Sequence, residues 1–149
     1  MYNKKDYNYF GKRSNFGDPR LRELELVIFD GLMPEEARRL YPDAYTRREQ
    51  DKFGFRIPNG ERYEMLITRV KPFVEEVLDQ YSDGNVCVVG HQGLNRALLA
   101  CLLGDKLTRE QITHLVIPYD AYIKVTKTQV RVNAVVISPI RQHGLEYRL

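Results

Sequence analysis

Apolar residues recur at helical spacing between Gly60 and about Tyr81, which makes this stretch the clearest element of the chain. The apolar positions are Tyr63, Leu66, Ile67, Val70, Phe73, Val74, Val77, Leu78 and Tyr81. Steps of three and one between them place these side chains on one face of an amphipathic helix. The turn-forming run Ser82–Asn85 predicts the end of the helix.

The next two elements indicate the fold class. Val86–Gly90 is a short β-branched run without a polar interruption, which favours a strand covered on both faces and hence a parallel sheet. Leu94–Leu103 is apolar almost all round and predicts a buried helix, with Gly104 as a good C-cap. Helix, strand and helix in this order indicate an α/β layer fold, in which ligands bind at the carboxyl ends of the strands.

Shorter segments of the chain also have signals of helices and strands. Pro34–Leu40 begins with proline and acidic residues, as helix N-termini prefer, and Thr108–Leu115 begins with a possible N-cap. Both are predicted to be short helices. Tyr122–Thr126 and Val130–Val136 alternate apolar and polar positions and predict an antiparallel pair joined by a tight turn.

The remaining segments have no clear period. Residues 1–17 are predicted to form an extended or loosely attached N-terminal arm, residues 18–138 the folded domain and residues 139–149 a C-terminal tail. Within the domain, Leu24–Phe29 is either a short strand or an extended loop. Residues 41–57 are charged and aromatic, and loops of this length are usually functional.

Composition limits the class of protein. The 149 residues suit one compact domain, and 43% apolar with 29% charged residues indicates a soluble globular protein without a membrane span or signal peptide. A net charge of +3 and a pI near 8.8 are too weakly basic to indicate nucleic-acid binding. Cys87 and Cys101 lie in apolar runs and are predicted to be buried free thiols, which favours a reducing, cytoplasmic compartment. No metal site and no cofactor are predicted.

Candidate chemistry centres on Gly90–Gly93, where the predicted strand turns into a helix. An imidazole at His91 would lie beside the backbone donors of a helix N-terminus, which bind anions readily. A lone histidine in such a place is more often structural. Arg96 lies one helical turn beyond Gln92, so both side chains can face the same ligand.

Acidic and basic motifs accompany this strand end in a definite order. Taken alone, Glu23 is explained as half of a surface ion pair, Glu61 as a favourable acid in a first helical turn, and the cluster of Arg47, Arg48 and Lys52 as a solvated loop. A small phosphorylated ligand would also suit that cluster. The ordered set is Leu21-Arg22-Glu23, Arg48-Glu-Gln-Asp-Lys52, Pro58-Asn-Gly-Glu-Arg-Tyr63, Gly90-His91-Gln92 and Arg96-Ala-Leu-Leu99.

In order and spacing, this set resembles the histidine-phosphatase, or phosphoglycerate-mutase-like, superfamily. More narrowly, it resembles the bisphosphatase domain of 6-phosphofructo-2-kinase/fructose-2,6-bisphosphatase. The resemblance covers about residues 18–138. It implies a three-layer αβα fold with a mostly parallel sheet, and a phosphatase-type activity on a phosphorylated small molecule.

The resemblance also implies roles for individual residues. Glu23 matches the family's proton donor to the leaving-group oxygen, and His91 matches the second histidine, which contacts the transferring phosphoryl group. The positions that match those holding the sugar phosphate are Arg48, Lys52, Gln92 and Arg96. Guanidinium and ammonium groups neutralise a phosphate dianion, and a carboxylic acid beside an alkoxide leaving group is ordinary general acid catalysis.

The sequence departs from the family pattern at the nucleophile. The family begins with a strand that ends in Arg-His-Gly-Glu, whose histidine becomes phosphorylated, and this chain is expected to lack that first strand and helix. Arg141-Gln-His143-Gly144 is a weak substitute, because it has an extra residue and lies near the C-terminus. The arginine of a later family stretch is also absent, a substrate-facing tyrosine appears as Pro34, and a serine appears as Arg62.

Three interpretations remain open. The chain is a phosphatase-class enzyme for a small sugar phosphate, impaired or inactive alone without the nucleophile. Alternatively it is a non-catalytic relative, a pseudoenzyme that binds a phosphorylated metabolite or packs in an assembly, or it is an incomplete copy of a normal enzyme. A missing strand would expose a sheet edge and apolar helix faces, which a partner chain, a second copy or the Tyr-rich arm would have to cover.

Overall fold

The computed structural model of this chain describes residues 17–82, 84–128, 132–137 and 147–148. Its helices are α1 Pro34–Leu40, α2 Pro42–Gln50, α3 Tyr63–Gln80, α4 Gln92–Leu103 and α5 Arg109–His114. Its strands are β1 Tyr122–Lys127, β2 Val132–Ile137 and β3 Tyr147–Arg148, and short 3-10 turns lie at Pro19–Leu21, Val27–Phe29 and Gly104–Lys106. Nearly all of the predicted arm and most of the predicted tail lie outside the described residues.

The centre of the core is the contact between α3 and α4. Leu66 and Val70 on α3 and Leu94 on α4 have no exposed surface. Burial of each such side chain stabilises the fold by about 1.5–3 kcal/mol. The face of α3 that packs here is the predicted apolar face, so periodicity predicted both the helix and its buried side correctly.

A second, smaller cluster lies around the 3-10 turn that follows Leu24. Phe29, Ala37 and Ile57 are its buried members. The ring of Phe29 meets Tyr41 and Tyr45 edge to face, with centroids 6.0 and 6.2 Å away. The segment Leu24–Phe29 is therefore a connection between two clusters and not a strand, because Leu24 packs in the main core.

Residues 41–57 do not form one long loop, because α2 occupies their first half. No residue of α2 is buried, so the helix has no apolar stripe that periodicity could reveal. Its signals lie at its ends. Pro42 opens the helix and Asp43 lies in the first turn, whereas Arg47 and Arg48 lie in the last, each on the side that the helix dipole favours.

The sheet of the described residues is antiparallel throughout, in the order β1-β2-β3. Tyr122 pairs with Ile137 and Lys127 with Val132, which confirms the predicted antiparallel pair. Ala134 of β2 is buried against Leu99 and Leu103. The sheet therefore covers the side of α4 that faces away from α3.

The prediction of a strand at Val86–Gly90 is wrong. This segment has no regular secondary structure and pairs with no strand among the described residues. Val88 packs against the main core, whereas Val89 is 90% exposed. A strand exists only as part of a hydrogen-bonded ladder, and no parallel ladder is present in the described ranges. The three-layer arrangement around a mostly parallel sheet is accordingly not seen in this part of the chain.

The two cysteines differ in their surroundings. Cys87 is exposed, so the prediction of two buried thiols was wrong for this residue. The run around Cys87 pairs with no described strand, although Val88 of that run packs against the main core. Cys101 is half-buried beside the main core, and burial raises the pKa of its thiol to about 11.

None of the described helices is both long enough and apolar enough to cross a bilayer.

Candidate functional site

Glu23 binds the N-terminus of α4. Its Oε2 accepts a hydrogen bond of 2.9 Å from the amide of Gly93, and its Oε1 accepts one of 2.8 Å from Leu94. Oε1 also accepts the amide of Leu24 at 2.7 Å. The first N–H groups of a helix have no partner within the helix, and the helix dipole favours a negative charge there. Glu23 is thus a long-range cap of α4 and not half of a surface ion pair.

His91 is the residue that immediately precedes α4. Its side chain is exposed and makes no capping hydrogen bond, while its carbonyl accepts the amide of Asn95 at 2.8 Å. The imidazole and the carboxylate of Glu23 therefore belong to the same end of one helix. The backbone fixes His91 there, and the side chain is open to solvent.

Gln92 and Arg96 share one face of α4, as their spacing predicts. Both donate to the carbonyl of Leu115, Gln92 Nε2 at 3.4 Å and Arg96 Nε at 2.6 Å. Arg96 Nη1 also donates to the hydroxyl of Tyr63 at 3.2 Å. These bonds hold the guanidinium between α3 and the segment that follows α5.

Arg48 and Lys52 form a separate pair around one acid. The two contact Glu49, with N–O distances of 3.4 Å from Arg48 and 3.0 Å from Lys52. Both cationic side chains are only about one quarter exposed, at 23% and 25%. Neither makes a described contact with Glu23 or with the start of α4.

An aromatic stack connects the two groups of residues. Phe53, which follows Lys52, lies parallel to the ring of Tyr63 at 6.3 Å with an interplanar angle of 12°. Arg109 of α5 lies over Phe53, 4.9 Å from the ring centroid. Because Tyr63 accepts a hydrogen bond from Arg96, the stack places the Arg48–Lys52 segment beside the residues of α4. The hydrogen bond between Tyr63 and Arg96 was not predicted, because the sequence pattern explained Tyr63 only as a member of the apolar face of α3.

Glu61 has a different role from the one predicted. The residue precedes α3 and is 6% exposed, and it is paired with Arg69 through both carboxylate oxygens at 3.0 and 2.8 Å. Burial alone would raise its pKa. Hydrogen bonds from Arg69 and the amide of Glu25, with the charges of Arg69 and Arg22, outweigh burial and leave the pKa below its ordinary value of 4.5.

An open concavity of about 330 Å³ is lined by Ile28, Tyr41, Pro42, Asp43, Ala44 and Pro58. Its lining is mostly apolar and includes none of the predicted site residues. Within the described ranges, no group of three or more His, Cys, Asp or Glu side chains could hold a metal ion.

The fold and this helix end agree with a comparison against protein families. Residues 14–137 match the model of the histidine phosphatase superfamily (branch 1). The chain belongs to this superfamily, whose members have a phosphoglycerate-mutase-like α/β fold.

Curated relatives narrow the relationship. The chain is 39% identical over 106 residues to 6-phosphofructo-2-kinase/fructose-2,6-bisphosphatase 3 of Homo sapiens, and this match covers 71% of the chain and 19% of that protein. It is 36% identical to 6-phosphofructo-2-kinase/fructose-2,6-bisphosphatase of Gallus gallus, with 71% and 22% covered. For the form 1 protein of Rattus norvegicus the identity is 35%, with 71% and 21% covered. The chain spans about a fifth of the length of these relatives, and the predicted resemblance is confirmed.

Proposed function

We propose that this chain carries the sugar-phosphate side of a histidine-phosphatase site and binds a bisphosphorylated sugar resembling fructose 2,6-bisphosphate. The observation that carries the proposal is the meeting of Glu23 and His91 at the N-terminus of α4. In the proposal, Glu23 is the proton donor and His91 contacts the phosphoryl group. The curated relatives, which are named for fructose-2,6-bisphosphatase, supply the substrate class.

The remaining ligands of the sugar phosphate are assigned to two groups. Gln92 and Arg96 face one side of α4, and Arg96 directs Nε and Nη1 to protein acceptors. We assign its Nη2 to a phosphate oxygen. Arg48 and Lys52 supply the second positive group, which a phosphate dianion would attract away from Glu49.

We do not expect the 149-residue chain alone to hydrolyse the sugar phosphate. Phosphohistidine chemistry needs an activated histidine that attacks phosphorus, and the 149 residues contain no Arg-His-Gly sequence. Arg141–Gly144, the weak substitute, lies outside the described residues. We expect the chain to bind the sugar phosphate and to leave it intact. A reducing, cytoplasmic compartment suits the exposed thiol of Cys87.

Binding is tested by calorimetric titration with fructose 2,6-bisphosphate and, separately, with inorganic phosphate. Arg48→Ala and Arg96→Ala should each weaken binding by about 1–3 kcal/mol, since each removes a charge-assisted contact. Lys71→Ala is the control, because Lys71 is an exposed cation of α3 that pairs with Glu75. Unchanged affinity in both arginine variants would reject the assignment.

The absence of turnover is tested by intact-protein mass spectrometry. After incubation with fructose 2,6-bisphosphate, the chain should show its unmodified mass. A stoichiometric phosphoryl adduct would contradict the proposal and identify a nucleophile within the 149 residues.

A non-catalytic structural or interaction subunit is the second candidate. Val86 and Val89 favour it, because they are 45% and 90% exposed in a segment that pairs with no described strand. Exposed apolar residues beside unpaired backbone are typical of surfaces that another chain covers. Light scattering distinguishes the candidates: a monomer at all accessible concentrations argues against a subunit that covers this segment with a second copy.

A further inference from the structure

Arg69 binds the backbone of Glu23 and of the residues that precede it. This arginine lies on α3, and its side chain is 16% exposed. Its Nη1 donates to the carbonyls of Arg20 and Arg22 at 2.8 and 3.1 Å, and its Nη2 donates to the carbonyl of Glu23 itself at 3.4 Å. One guanidinium therefore binds three carbonyls of the segment that presents the acid.

Glu61 holds the next residues of the same segment. Its Oε2 accepts the amide of Glu25 at 3.3 Å, and its own amide donates to the carbonyl of Glu25 at 2.9 Å. Gly60 permits this approach, since a Cβ at that position would lie 2.5 Å from the same carbonyl. Arg69 and Glu61 are bound to each other, so the pair acts as one clamp on residues 20–25.

We propose that Arg69 and Glu61 are positioning residues for Glu23, which they hold so that its carboxylate reaches the amides of Gly93 and Leu94. The proposal rests on the proposed function in so far as Glu23 is the proton donor. A general acid must stay within hydrogen-bond reach of its target, and small displacements are costly. The segment has no helix or strand at Glu23 to fix its path, so the clamp supplies the restraint.

The geometry explains why both partners are needed. A planar guanidinium presents five donors in a fixed fork, and Arg69 uses three nitrogens on five acceptors. A lysine ammonium has three donors on a flexible stem and cannot reproduce this pattern. Without Glu61, the guanidinium would lose the carboxylate that orients it.

The test compares amide proton shifts in NMR spectra of the full chain without ligand. In the unsubstituted protein, Glu23→Gln should shift the amide resonances of Gly93 and Leu94, because it removes the charge that these amides contact. In the Arg69→Met and Glu61→Gln backgrounds, the same Glu23→Gln substitution should leave both resonances unmoved. Arg69→Lys provides the same comparison if either of these variants fails to fold, and it should give the same loss.

Val74→Ala is the matched control for lowered stability. Val74 is a buried residue of α3 whose apolar side chain packs in the main core. In this background Glu23→Gln should still move both resonances, because a weakened core alone leaves Glu23 in place. Equal shifts in the arginine and valine backgrounds would overturn the positioning role. The comparison needs no ligand, so a failure of the chain to bind fructose 2,6-bisphosphate would count against the proposed function alone.

Discussion

Glu23 and Gly93 lie 70 positions apart in the chain and are joined by a hydrogen bond of 2.9 Å from amide to carboxylate. The bond places an acid at the start of the helix that follows His91. It also leaves no room for a side chain at position 93, since a Cβ there would lie 2.5 Å from Glu23 Oε1.

Gly93→Ala should therefore destabilise the protein, although alanine usually stabilises a helix by about 0.5–1 kcal/mol relative to glycine. The carboxylate must move and lose its charge-assisted bonds, at a net cost of about 1–3 kcal/mol. Urea unfolding measures the change. Gly17→Ala is the control, because nothing lies within 4 Å of a Cβ at Gly17. A more stable Gly93→Ala protein would contradict the close contact.

The pair of Glu61 and Arg69 should make stability depend on pH. The pKa of Glu61 is lowered in the folded state, so its contribution is complete above its ordinary value of 4.5 and is lost as the pH falls through the folded pKa. Glu61→Gln should flatten this acid limb and cost about 3–5 kcal/mol at neutral pH, because Arg69 loses its buried partner. Denaturant unfolding between neutral and acidic pH checks both effects.

Glu75→Gln is the comparison for that experiment. Glu75 forms an exposed pair with Lys71, and such pairs contribute only about 0–1 kcal/mol. If the two variants lose equal stability at neutral pH, Glu61 and Arg69 do not form a buried pair.

Val27 should be replaceable with a gain in stability. Its φ of 43° lies in the left-handed region, where a β-branched residue is strained by about 1–2 kcal/mol. Asparagine tolerates this conformation, so Val27→Asn should raise the free energy of unfolding by about 1 kcal/mol. Val116→Asn tests the same change at an exposed valine without a positive φ and should give no gain. Thermal unfolding of the two variants measures the change in stability, and an equal effect of both substitutions would contradict the strain at Val27.

The two thiols should react at different rates with iodoacetamide at pH 8. Cys87 is exposed, whereas Cys101 is half-buried, and burial raises its pKa to about 11, so almost none of it is thiolate. Mass spectrometry should find the first adduct on Cys87, and Cys87→Ser should abolish the fast phase. Equal labelling of both cysteines would contradict the difference in burial.

Periodicity and capping signals predicted the helices that have a buried apolar face or a local N-cap. The apolar face of α3 and the N-cap of α5 at Thr108 are local properties of the sequence, and Thr108 forms the predicted cap. Helix α2 has no buried residue and was missed for that reason. The strand at Val86–Gly90 failed because a strand depends on partners that its own sequence does not contain.

Some residues of the candidate site were likewise predicted from local sequence patterns, and others were not. The spacing of Gln92 and Arg96 on one helix predicted their common face. The resemblance to the superfamily, and not any local pattern, selected Glu23. The clamp of Glu61 and Arg69 gave no signal, because an arginine on the polar side of a helix and an acid before it are each ordinary surface residues.

The exposure of Val86 and Val89 has a practical consequence for anyone handling the isolated chain. Short runs of β-branched residues without charge or proline associate readily with copies of themselves when they lie at the surface. We therefore expect Val86–Val89, which lies before the helix that carries the candidate site, to be a segment through which the isolated chain self-associates. A gatekeeper charge such as Val89→Lys should then reduce self-association, because Val89 is exposed and precedes α4.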